Sequence, residues 1–216
     1  NELDTNRAAQ AANLLNAYYA SNPALPHRDK FASSHALTGA MENLAINGGT
    51  FNLLFLNPTY DNDDKDGRLE RTFLTRGTHW LQAGGLLVFL IPQSALRLKA
   101  MNQYLASWYP DLTITRFPDP DYQIFKQHII TGVRSKRRLM PDEKLVDHLL
   151  DIGHDRTTAP TFDPEQAPRY TLPILQQQHG FKFQPCCCWR MGRVYRGACT
   201  GSKVGAVVRS CPMSRR

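Results

Sequence analysis

The 216 residues are 42% hydrophobic and 21% charged, with a formal net charge of +7, the balance of one soluble globular domain with an ordinary apolar core. No run approaches the roughly 18 consecutive apolar residues of a membrane span, and no charged-then-apolar leader precedes a small-residue cleavage site. These exclusions lead to the expectation of a soluble, cytoplasmic protein with no membrane partner. The positive charge is unevenly placed. Residues 1–185 hold as many basic as acidic residues, whereas 186–216 hold seven basic residues and no acidic one, so the excess lies in a tail and not on the body of the domain.

In chain order, Asp4 to Tyr19 places Ala8, Ala11, Ala12, Leu14, Leu15 and Tyr18 at near-helical spacing, which predicts a helix with Asp4 or Thr5 as its N-cap. Asn22-Pro23 and Leu25-Pro26 mark a loop, Lys30 to Leu37 is a weak strand, and Asn47-Gly48-Gly49 is a turn. The apolar run Phe51 to Leu56 reads as a buried parallel strand that stops at Asn57-Pro58-Thr59-Tyr60-Asp61. Helical period returns over Leu69 to Leu81 and ends at Ala83-Gly84-Gly85. Leu86 to Ile91 is the clearest buried strand, closed by Pro92.

A helix is predicted over Ser94 to Trp108, then strands at Leu112 to Phe117 and Gln127 to Arg134. The last two strands lie too close in sequence for a crossover helix, so they should pair as an antiparallel hairpin. Pro141 to Ile152 is a further helix, and Ala159 to Gln184, rich in Pro and Gln, reads as an extended segment that wraps the domain. Strand–helix alternation ending in a hairpin specifies an open, doubly wound α/β sheet.

Two apparent motifs do not hold. All five cysteines fall in the tail, as Cys186-Cys187-Cys188 and the single Cys199 and Cys211, a spacing that does not converge thiolates on one tetrahedral zinc ion. No metal is expected. The loop Asp61 to Gly67 has the acidic character of a calcium site, but with Gly67 as its glycine the closing position is Phe73, where a bidentate Glu is required. The tail, dominated by Gly, Arg, Ser and Cys, is expected to be disordered and takes no part in the functional argument. Four basic residues in five at Arg134 to Arg138 fit a phosphate contact or a plain charged face.

The chemistry sits after the first apolar strand. In doubly wound sheets ligands bind beyond the carboxyl ends of the strands, which is where Asn57-Pro58-Thr59-Tyr60 falls. An exocyclic amine on a heteroaromatic ring is a poor nucleophile because its lone pair is delocalised, and it needs acceptors on both N–H groups. The Asn57 side-chain oxygen and the Pro58 carbonyl are suitable acceptors, and Pro58 fixes φ near about −65° and so limits the carbonyl's freedom. Tyr60 supplies a ring to stack on a base, a contact worth about 1–3 kcal/mol.

Asn57-Pro58-Thr59-Tyr60 resembles the Asn-Pro-Pro-Tyr motif of the class I S-adenosylmethionine-dependent adenine-N6 DNA methyltransferases. Its context, Phe51 to Asp61, is similar to an uncharacterised bacterial branch of that superfamily, with further matches at Gly84 to Pro92, Arg116-Phe117-Pro118 and Phe125-Lys126-Gln127. The resemblance covers about residues 1–185. It implies a Rossmann-like sheet, mostly parallel with a C-terminal antiparallel hairpin. It also implies S-adenosylmethionine as cofactor, DNA as partner with RNA as the other polymer, base flipping and a link to restriction-modification. It assigns Asn57, Pro58 and Tyr60 to catalysis and Glu2 to the cofactor ribose. Phe125 becomes the aromatic on the other face of the flipped base, with Tyr122 as second choice.

Two departures accompany the resemblance. Thr59 stands where the family has a second proline, and no glycine-rich turn precedes Glu2. The expectation is therefore a chain that is truncated at its N-terminus, lacks the first strand and glycine loop, and binds cofactor weakly. Its parts are a partial methyltransferase domain at 1–139, a C-terminal extension at 140–185 and the tail at 186–216. An amino-methyltransferase acting on RNA or a protein glutamine, and an inactive remnant, are the competing readings.

Overall fold

The structure is a computed structural model that describes residues 5–21, 41, 44–58, 62–63, 67–166, 170–174 and 184–185. The Lys30 to Leu37 strand and the tail fall outside them. The elements run α1 (Thr5–Ser21), β1 (Leu44–Ala45), β2 (Phe51–Leu56), β3 (Asn62–Asp63), β4 (Gly67–Arg68), α2 (Leu69–Trp80), β5 (Leu81–Pro92), α3 (Lys99–Trp108), β6 (Thr113–Arg116), α4 (Asp121–Phe125), β7 (Gln127–Val133), α5 (Glu143–Gly153) and β8 (Gln184–Pro185). Among the described residues no helix is long and apolar enough to cross a membrane.

The central sheet has the order β2-β5-β7-β6. β2 and β5 are parallel, and β7 is antiparallel to both of its neighbours, β5 and β6. Three of the four strands therefore run in one direction, and the expected hairpin is present. Its second strand enters the sheet between β5 and β6, so β6 becomes the edge.

Alternation along these strands divides the sheet into two unequal faces. Leu54, Leu56, Leu87, Phe89, Ile91, Ile114 and Ile130 point one way and pack with Leu74 of α2, Met101 and Leu105 of α3, and Leu149 and Ile152 of α5 into one continuous core. Helix α5 thus completes the same core as the sheet. On the other face Leu53 and Phe55 of β2 are exposed, contrary to the reading of that strand as buried on both sides. Among the described residues this face is spanned by the chain after α5. That segment forms a parallel bridge at Thr161 to Arg116 and hydrogen-bonds through the Tyr170 hydroxyl to Thr131 at 3.0 Å. It reaches β2, where the Asn52 side-chain amide donates to the Pro173 carbonyl at 3.1 Å. Between strap and sheet lies a cavity of about 570 Å3 floored by Phe55, Val88, Leu90 and Ile129.

Two element boundaries differ from expectation. The helix predicted over Ser94 to Trp108 is broken at Leu98, which takes an extended conformation (φ −86°, ψ 101°) between a 3-10 turn at Gln93–Arg97 and α3. The break is stabilised by Asn102, whose amide donates to the freed Leu96 carbonyl at 2.7 Å in the buried interior. The residues expected to end α2 instead belong to β5, which starts at Leu81 and bulges. Phe51 pairs with Leu81 but Leu53 pairs with Leu86, and the surplus is taken up around Gly84 at φ +78°.

Candidate functional site

The carboxyl ends of β2, β5 and β6 define one rim of the sheet, and β7 begins there. Leu56, the last residue of β2, pairs with Phe89. Three residues further along β5, Pro92 pairs with Gln127, and Arg116 at the end of β6 pairs with His128. Asn57 leaves the rim exposed, and Pro58 beside it is buried, so the chain is anchored immediately after the amide. Thr59, Tyr60 and Glu2 lie outside the described residues. Phe125 closes α4 at the same rim with 59% of its surface exposed. It leads into β7, which is two strands from β2 in the sheet order. The rim thus brings Asn57, Pro58 and Phe125 to one edge.

Tyr122 is placed differently. It is 6% exposed, with the Arg116 guanidinium 4.9 Å and the Lys126 ammonium 4.8 Å from its ring centroid. Its edge meets His128 in a T-shaped contact at 5.4 Å. A ring held by two cations and packed on a histidine serves to fix α4. Of the two aromatics read from the sequence, Phe125 is the one with open ring surface. Arg116 is itself held by both Asp119 carboxylate oxygens at 3.2 and 3.3 Å.

Sequence reasoning missed the polar residues behind this rim. Gln93, directly after β5, donates from Nε2 to the Ile152 carbonyl at 2.8 Å and to Asp155 Oδ1 at 2.6 Å. This ties the end of β5 to the end of α5. His128 has no exposed surface, and among the described residues neither ring nitrogen has a partner in good hydrogen-bond geometry. Burial, and after it the positive charge of Arg116, push its pKa down to about 4, against opposing effects of Asp155 and the Lys126 backbone. No spacing signal marks either residue, since each is a single polar side chain beside an apolar strand.

The buried histidine has a consequence for stability. Its folded pKa lies below the ordinary value of 6.5, so between pH 6.5 and about 4 the unfolded chain binds the extra proton and stability falls as pH falls. We expect a loss of roughly 2 kcal/mol across that window. His128→Leu, which removes the proton site and two unpaired nitrogens, should flatten the urea midpoint between pH 7.5 and 4.5 and cost little at neutral pH. A midpoint for the wild type that is unchanged over this range would show that the histidine is protonated or solvated in the folded state.

A Rossmann-like α/β sheet with an antiparallel strand next to its edge, and an amide-bearing loop at its carboxyl rim, defines the methyltransferase class of fold. The chain belongs to the uncharacterised methyltransferase family DUF6094, whose sequence profile matches residues 33–175. Among solved structures it is similar to a predicted O-methyltransferase from Agrobacterium tumefaciens, with 18% identity and a TM-score of 0.31 over 54% of this chain. The matched part spans 57% of the length of that protein. No curated protein matches the sequence.

Proposed function

We propose that this methyltransferase moves the methyl group of S-adenosylmethionine to an exocyclic amine, adenine N6 in DNA. The observation that supports this reading most is the position of Asn57-Pro58 at the carboxyl end of β2. There the amide stands exposed on a backbone held by a buried proline. The Asn57 side-chain oxygen and the Pro58 carbonyl would accept hydrogen bonds from the two amine N–H groups and so orient the nitrogen. Phe125 covers one face of the base. The chemistry is then positioning and electrostatics, without a strong general base.

S-adenosylmethionine supplies an electrophilic methyl group when bound. Glu2, which the resemblance assigns to its ribose, lies outside the described residues. Among the described residues the carboxyl rim has no glycine-rich turn beside a carboxylate to take that place.

The test is transfer of radiolabelled methyl from S-adenosylmethionine to duplex DNA, tRNA and a protein mixture offered side by side, with nucleoside analysis of the labelled polymer. N6-methyladenine in DNA is the expected product. Label in RNA adenine or in a protein glutamine would move the assignment to that substrate, and absence of label from all three would overturn it.

A further inference from the structure

The amino rim of the sheet carries a separate charged surface. β7 is seven residues long, so its far end lies roughly 20 Å from the rim that holds Asn57 and Phe125. There the chain runs Arg134-Ser135-Lys136-Arg137-Arg138. Lys136, Arg137 and Arg138 are exposed, and among the described residues none of the three pairs with a carboxylate.

These cations stand on a fixed backbone. The Arg134 amide donates to the Gly85 carbonyl at 2.8 Å and its carbonyl accepts from Gly84 at 2.8 Å. The Ser135 amide donates to Trp108 O at 2.8 Å, and the Leu139 amide to Ser107 O at 2.9 Å. Both ends of the run are thereby stitched to β5 and to the C-terminus of α3, and the Ser135 hydroxyl closes the middle on the Arg137 carbonyl at 2.7 Å. Aromatic rings adjoin the charges. The Arg134 guanidinium lies 4.8 Å from the Trp108 ring centroid. Tyr104, one turn earlier on α3, is 6.4 Å from Trp108, and its hydroxyl feels the positive charges of Arg134 and Arg138.

We propose that this rim, Arg134 to Arg138 with Trp108 and Tyr104, is a second nucleic-acid contact, one that holds the phosphate backbone of a single strand away from the reacting rim. Unpaired cations on an ordered backbone, beside two half-buried aromatic side chains, suit a phosphate chain whose bases are open to stacking, because the backbone's ordering cost is met before binding. An anionic membrane fits less well. The exposed apolar residues here, Leu139 and Met140, lead directly into Pro141-Asp142-Glu143, whose exposed carboxylates a flat anionic surface would have to meet together with the cations, whereas a single strand can follow Arg134 to Arg138 and leave them aside. The proposal does not depend on the methylated base.

The test uses the full chain without cofactor and fluorescent oligothymidylate, which contains no adenine, so the result is independent of methyl transfer. Binding is followed by anisotropy against salt. The triple variant Lys136→Ala, Arg137→Ala, Arg138→Ala should bind at least about tenfold more weakly at low salt. Its slope of log K against log salt should be smaller by about 2, because three fewer counterions are released from a single strand. The exposed positions leave the core intact, which an unchanged melting curve verifies. An unchanged slope overturns the proposal, as does a larger loss of binding to phosphatidylserine vesicles than to the oligonucleotide, which would make the rim a membrane contact.

Discussion

Replacing Asn57 by Ala should lower kcat for methyl transfer by about 10²–10³-fold with KM for the polymer nearly unchanged. One of the two acceptors that grip the amine would be gone, and preorganised groups aimed at a developing charge are worth about that much each. The amine acquires positive character only as the new N–CH3 bond forms, so the loss falls on the transition state and appears in kcat. Asn57 is exposed, so the variant should keep its fold. Asn57→Asp keeps an acceptor at the same reach and should retain more activity than the alanine variant. Equal kcat for wild type and Asn57→Ala would remove the amide from the chemistry.

Gly153→Ala should be the most damaging of the glycine-to-alanine changes among the described residues, at about 3 kcal/mol of folding stability read from urea unfolding. Gly153 ends α5 where it packs on the 3-10 turn after β5. A Cβ there would lie 2.7 Å from Leu96 C, 2.8 Å from Arg97 N and 2.9 Å from Leu96 O. All three are backbone atoms, and the turn is further tied by Arg97 Nε donating to the Gly153 carbonyl at 2.8 Å. The methyl can be accommodated only by moving α5 or the turn, and Gln93 with its bonds to Ile152 and Asp155 would move with them. Gly77→Ala provides the contrast. Its Cβ would meet Leu54 Cδ2 at 2.8 Å, the far end of a flexible side chain, and helix propensity in α2 partly offsets the crowding. If the two variants unfold at the same urea concentration, the packing of α5 on the turn is looser than described.

How much of this was legible in the residues depends on whether the signal was periodic. The run Leu86 to Ile91 and the bounded run Phe51 to Leu56 announced the two parallel strands, and the short span from Leu112 to Arg134 announced the hairpin, because apolar alternation and loop length are local properties. The place of β7 between β5 and β6 is a matter of pairing between distant segments. The break at Leu98 was hidden because Asn102 reaches back to a carbonyl six residues earlier, a contact that no helical pattern encodes. The position of Asn57 and Pro58 at the end of a strand was legible because they directly follow a bounded apolar run. Tyr122 and Phe125 could not be told apart, since an aromatic near a strand start looks the same in sequence whether its ring faces solvent or lies near Arg116 and Lys126.

The insertion of β7 makes two strands hostage to one. Among the described residues β6 pairs within the sheet with β7 alone, its other edge meeting the later strap at Arg116 and Thr161, so a nascent chain that has reached Arg116 has nowhere to dock that segment. Only when Gln127 to Val133 has emerged can the edge zip on. A stop or frameshift inside that stretch would therefore delete half of the four-stranded sheet at a stroke, and leave the flank of β5 as a bare template for self-association.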